Sequence, residues 1–134
     1  MNLRGPLIGV AVPAVLVAAC QLLPAEPADL EGTAWQAVAV AGQPPVAGAE
    51  PTIRFDGARL TGSTGCNTFG AGYGIVGERF SVGELVMTEI ACAGPIAEQE
   101  RRFVEALLAV EWIRLGPGQL SLAGLRDSLD FVPG

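Results

Sequence analysis

After Leu30, glycine or proline interrupts the chain every few residues until the pattern changes at Gly94-Pro95. Punctuation that dense leaves room for short strands and tight turns, and only the stretch after Pro95 is long enough for a sizeable helix. Between the interruptions, β-branched and aromatic residues alternate with polar ones. Thr33 to Ala41 (TAWQAVAVA) reads as a first strand that offers Trp35 to the core. Thr52 to Phe55, Asp56-Gly57 and Ala58 to Gly62 read as a hairpin. A type I′ turn is expected there, since Asp-Gly tolerates the positive φ required at both central positions. Phe69 to Val76 and Phe80 to Met87 are two further strands, separated by Gly77-Glu78. Trp112 to Leu115, Gln119 to Leu122 and Ser128 to Val132 form a closing meander, with Gly116-Pro117-Gly118 as one of its turns.

From Pro95 the period becomes helical. Proline suits a first helical position, where its missing N–H has no partner to lose. Ile96, Phe103, Leu107 and Val110 share one face. Glu98 and Glu100 fall in the early turns, where the helix dipole favours negative charge. Glu98 also precedes Arg102 by four residues, the favourable orientation for a helical ion pair. One amphipathic helix is therefore expected over Pro95 to Ala109. Strands, one helix and more strands, without βα alternation, imply an α+β fold. Its mostly antiparallel strands would curl into a partial barrel with the helix packed on it, and Trp35, Ile53, Phe55, Phe103 and Leu107 would lie inside.

Composition removes many activities. The 134 residues carry 8 basic and 14 acidic side chains for a formal charge of −6, and they include no histidine. Every basic residue is arginine. Histidine-based catalytic units, histidine metal ligands, the P-loop cation and Schiff-base chemistry are excluded. The acidic balance argues against nucleic acid, which is held by a basic stripe.

The start of the chain reads as an address. Arg4 is the only charge before Glu26, and Pro6 to Ala19 is uncharged and mostly apolar. That is the secretory signal pattern, and the run is too short to span a bilayer. Val17-Ala18-Ala19-Cys20 resembles a bacterial lipobox. The resemblance implies cleavage before Cys20, a thioether-linked diacylglycerol on its sulfur, and anchoring to the cell membrane or outer membrane with the domain outside the cytoplasm. An ordinary cleaved signal or an uncleaved anchor are the alternatives. The organisation expected is a signal peptide over 1–19, the lipidated cysteine and a proline-rich semi-extended tether over 20–29, and the domain over 30–133.

The most distinctive stretch is Gly65-Cys66-Asn67-Thr68-Phe69 followed by Gly72-Tyr73. It resembles the central signature of the META domain, the HslJ-like heat-shock family. Leu30-Glu-Gly-Thr-Ala-Trp35 resembles the family's opening element, and Pro51-Thr-Ile-Arg-Phe55 with Gly62 its second strand. Met87-Thr88 with Ala91-Cys92, Glu100 with Phe103 and Leu107, and Gly118-x-Leu120-x-Leu122 follow in the family's order. The resemblance covers about Leu30 to Phe131. It marks Gly65, Cys66, Asn67, Phe69, Tyr73, Thr88 and Cys92 as motif residues.

Cys66 and Cys92 are the only cysteines of the expected domain. Export and an even count favour a disulfide, and the family pattern places both beside strand ends. Two buried thiols are the alternative, and two cysteines without histidine leave a zinc site short of ligands. Asn67 is expected in a left-handed or side-chain-capped turn, with a polar binding role as the other option. The glycine run from Gly70 to Gly74 lacks the strand-to-helix passage of a nucleotide loop. Glu84, Glu89, Asp127 and Asp130 are the remaining acid–base candidates, and their spacing defines no carboxylate pair.

No catalytic residue, cofactor or metal is therefore assigned. The resemblance implies an envelope protein linked to stress tolerance. The leading expectation is a non-enzymatic, membrane-tethered domain that binds or scaffolds an envelope protein. A carrier of a lipid or other small hydrophobic ligand in the curled sheet is the alternative.

Overall fold

A computed structural model of the chain describes Gly5, residues 8–14 and residues 27–134. Cys20 and most of the expected tether lie outside the described residues. The elements are α1 (Pro27–Leu30), β1 (Ala34–Val40), β2 (Thr52–Asp56), β3 (Arg59–Ser63), β4 (Thr68–Val76), β5 (Arg79–Val82), β6 (Val86–Met87), α2 (Gly94–Leu108), β7 (Val110–Gly116), β8 (Gln119–Gly124) and β9 (Ser128–Pro133). The last residues before the domain, expected to be extended, instead make the short turn α1. It delivers Leu30, fully buried, to the core.

All strand pairs are antiparallel, in the order β3-β2-β1-β9-β8-β7-β5-β4. The sheet then closes on itself, because β3 also pairs with β4 from Arg59↔Gly72 to Ser63↔Thr68. The expected curled antiparallel sheet is present, and closure makes it an eight-stranded barrel. Its seams are unequal: β7 and β8 pair from Val110 to Gly116, whereas β5 meets β7 at one registered pair, Arg79↔Trp112. The strand expected over Phe80 to Met87 is interrupted after Val82. Gly83 N–H still reaches Gly72 O at 2.8 Å, and Thr88 N–H reaches Thr68 O at 3.0 Å. β6 thus resumes the track of β5 along β4.

The turns follow from their glycines. Asp56 pairs with Arg59, so the first hairpin loop is Gly57-Ala58. Only Gly57 has positive φ (61°), which corrects the expected type I′ turn to the type II′ pattern, with glycine first. Pro117-Gly118 joins β7 to β8 with Gly118 at φ 65°, the type II arrangement.

Inside, β2 alternates with Ile53 and Phe55 buried and Thr52, Arg54 and Asp56 exposed. Leu60, Leu120, Leu122, Leu129 and Phe131 fill the same interior, as does Trp35, 7% exposed. Phe55 meets Tyr73 edge-on with centroids 5.1 Å apart. The helix starts just after the segment following β6 and hands over to β7 at Val110. Both junctions lie at one end of the barrel, so α2, about 22 Å long at 1.5 Å per residue, lies across that mouth. Phe103, Ala106 and Leu107 point inward and plug it.

Two helical details differ from expectation. Val110 belongs to β7, and the first turn of α2 carries no acidic residue. The ion pairs also shift by one position: Arg101, not Arg102, meets Glu98 at 2.5 Å and Glu105 at 3.1 Å. Arg101 thereby lies between two carboxylates, one turn before it and one turn after it.

Candidate functional site

The signature residues converge at the mouth that α2 covers. The turn from β3 to β4 needs a left-handed residue, and that residue is Gly65 (φ 95°), not Asn67. A side chain at Gly65 would collide with the carbonyl oxygen of Ala49 and with Gln99. The turn is closed instead by Thr64, whose Oγ1 accepts the N–H of Asn67 at 2.9 Å.

Asn67 is 2% exposed, and its amide links three segments. Its Nδ2 donates to Glu100 on α2, at 3.1 Å from Oε1 and 2.9 Å from Oε2, and to Ile90 O at 3.1 Å. Its Oδ1 accepts the Ile90 N–H at 2.6 Å and the Thr88 hydroxyl at 2.9 Å. Thr88 Oγ1 in turn accepts the Thr68 N–H at 3.1 Å. Glu100 also receives the Thr64 hydroxyl at 2.5 Å and the Asn67 backbone N–H at 3.2 Å. A carboxylate with several donors makes the stronger, charge-assisted kind of hydrogen bond. The result is a clasp that fastens the β3–β4 turn and the 88–90 segment to the helix.

Cys66 and Cys92 are disulfide-bonded across the same place, with Cα atoms 6.1 Å apart. The sequence left a bond and two thiols open, and the structure has the bond. It covalently repeats the link that Asn67 makes by hydrogen bonds. Closing a loop of this length stabilises by about 3–4 kcal/mol through the unfolded state. Intact mass after alkylation without reductant should show no modified Cys66 or Cys92. Reduction should lower stability by about that amount while leaving the circular dichroism of the fold nearly unchanged.

The other motif residues stand apart. Phe69 is a core residue whose ring centroid lies 5.6 Å from that of Phe103. Tyr73 lies at the far end of the barrel and donates its hydroxyl to Gly57 O at 2.9 Å. Burial, reinforced by the Glu31 carboxylate, pushes its phenol above the ordinary value. Glu84, Glu89 and Asp127 are exposed, and Asp130 accepts the Ser128 hydroxyl at 3.3 Å.

Gln99 is a residue that sequence reasoning missed. It is fully buried, accepts Val46 N–H at 2.7 Å, and donates to Ala49 O at 2.7 Å and Thr64 O at 3.1 Å. Its signal was its position, three after Ile96 and four before Phe103, on the apolar stripe. A polar residue there must find internal partners, and these hold the loop between β1 and β2. Glu100 was legible only as part of a motif, not as the carboxylate that receives Asn67.

Among the described residues, two open clefts lie elsewhere. One, of about 380 Å³, is lined by Arg114, Leu115, Gly116, Gln119, Ser121 and Asp130. The other, of about 310 Å³, is lined by Glu105, Ala109, Leu125, Arg126 and Asp127.

Comparison with known proteins agrees with this architecture. Two structures solved by NMR share the fold at 24% identity. One has a TM-score of 0.69 and aligns over 81% of this chain and 95% of its own. The other, from Burkholderia xenovorans, has a TM-score of 0.66 over 99% of both chains. No curated protein matches the chain. The family model of the META domain matches residues 28–133, which include the clasp, the disulfide and the whole barrel, and the chain belongs to that family.

Proposed function

We propose that this META domain is a non-enzymatic, membrane-tethered envelope module that supports stress tolerance through binding or scaffolding. The observation that carries this reading is the internal engagement of the signature. Asn67, Thr64 and Glu100 direct their polar groups at one another and at nearby backbone, and Cys66 and Cys92 are joined. Residues arranged this way hold a shape rather than present a nucleophile or an acid–base pair. The interior supports surface binding over carriage of a lipid, because Phe55, Leu60, Phe103, Leu120 and Phe131 already occupy it.

Native mass spectrometry of the protein purified from its own envelope tests this reading. A co-purifying macromolecule at defined stoichiometry is expected, whereas a retained lipid within the barrel would favour the carrier instead. The tether is tested separately. Cys20→Ala should release the protein from membranes or leave an unprocessed precursor. Fatty-acid labelling should mark the wild type, and an unlabelled wild-type protein would remove the lipid anchor from the proposal.

A further inference from the structure

The larger of the two clefts lies on the outer face of the barrel, far from the clasp in role and composition. Its residues form a row set by strand register: Arg114 on β7 pairs with Ser121 on β8, and Ser121 pairs with Asp130 on β9. Residues paired in this way share a face of the sheet. Gln119, two residues before Ser121, lies on that face as well. Arg114 is exposed and makes no ion pair among the described residues, although Asp130 lies only two strands away. At about 4.8 Å per strand spacing, their backbones are roughly 10 Å apart with a hydroxyl between them. Gly116 keeps the end of the row open, and a Cβ there would meet nothing within 4 Å.

We propose that this cleft binds a saccharide. Arg114 offers only donors, Asp130 only acceptors, and Ser121 and Gln119 offer both. Neighbouring sugar hydroxyls, each donor and acceptor at once, complement that set. A simple anion does not, because Asp130 and the acidic balance of the chain oppose it. The volume of about 380 Å³ falls in the range of ordinary ligand sites, and the open outer face admits one stretch of a longer glycan. The inference names the ligand class of the binding module proposed above, and it does not depend on the lipid anchor.

The test uses the full chain in a detergent without a sugar headgroup. Amide resonances are followed during titration with the tetramers of N-acetylglucosamine and of glucose, and with free alanine as a zwitterion. Shifts centred on Arg114, Gln119, Ser121 and Asp130 with at least one tetramer are expected. Arg114→Ala and Asp130→Asn should each weaken binding about tenfold, as expected for loss of a charge-assisted hydrogen bond. Gly116→Phe should abolish binding with an unchanged melting temperature, because it fills the cleft without entering the core. No shift with either tetramer, a response to alanine alone, or undiminished binding by Gly116→Phe would each overturn the proposal. Co-purification of an envelope protein, together with silence toward both tetramers, would overturn this inference and leave the binding module standing.

Discussion

Phe103→Ala is expected to lower stability by about 3–5 kcal/mol, the range for removing a large aromatic side chain from a closed core. Phe103 is fully buried, comes from the one helix that spans the barrel mouth, and packs against the Phe69 ring. Neither neighbour can easily move into the space. Phe69 is fixed on β4, which is paired with β3 and β6 at that point, and the α2 backbone is held by Gln99 and Glu100. Urea melts should show a lower midpoint with a nearly constant slope, the sign of lost stability without a changed unfolded state. A loss below about 1 kcal/mol would mean that α2 does not plug the barrel.

Asn67→Ala is expected to cost about 3–4 kcal/mol, although alanine removes little apolar area. The loss would come from the groups left behind. Ile90 N–H and the Thr88 hydroxyl would lose their acceptor, and Glu100 would lose its Nδ2 donor. Three part-buried groups would be left short of a partner, each at the lower end of the cost of about 1–3 kcal/mol for an unpartnered polar group. Thr88→Val should cost about 1–2 kcal/mol, because it removes two neutral bonds, the one to Asn67 Oδ1 and the one from the Thr68 N–H. If the two variants proved equally mild in denaturant melts, Asn67 would not be the hub. Exchange of the Ile90 amide gives a second readout and should accelerate in Asn67→Ala alone.

The parts of this fold that were legible from sequence share one cause. Period-two alternation in Thr52–Asp56 and the helical stripe of Phe103 and Leu107 record which faces are buried, and burial is local information. Closure of the barrel was not legible. It depends on β3 pairing at once with β2 and β4, a matter of register and twist that no segment states alone. The break after Val82 was hidden because Leu85-Val86-Met87 resume the apolar pattern directly after Gly83-Glu84, where the strand pauses. In the clasp, the motif residues were visible but their roles were not. Asn67 and Glu100 are 33 residues apart, and only the helix laid across the mouth brings them together. The shift from Arg102 to Arg101 shows the same limit, since spacing allowed Glu98 either partner.

The single registered pair between β5 and β7 has a consequence for motion. A closed barrel has no sheet edge, yet the seam at Arg79↔Trp112 has the fewest bonds to break. Beside it, the Arg79 guanidinium lies 5.2 Å from the Trp112 ring centroid, and Ile113 N–H reaches Glu78 O at 2.9 Å. Local opening should therefore begin there, while β7 to β8 and β1 to β9 stay shut. Such an opening would briefly turn a ring of strands into a sheet with two free margins, and free margins can recruit an extended strand from another chain. A cation and an indole thus guard the one line along which this barrel is prone to unroll.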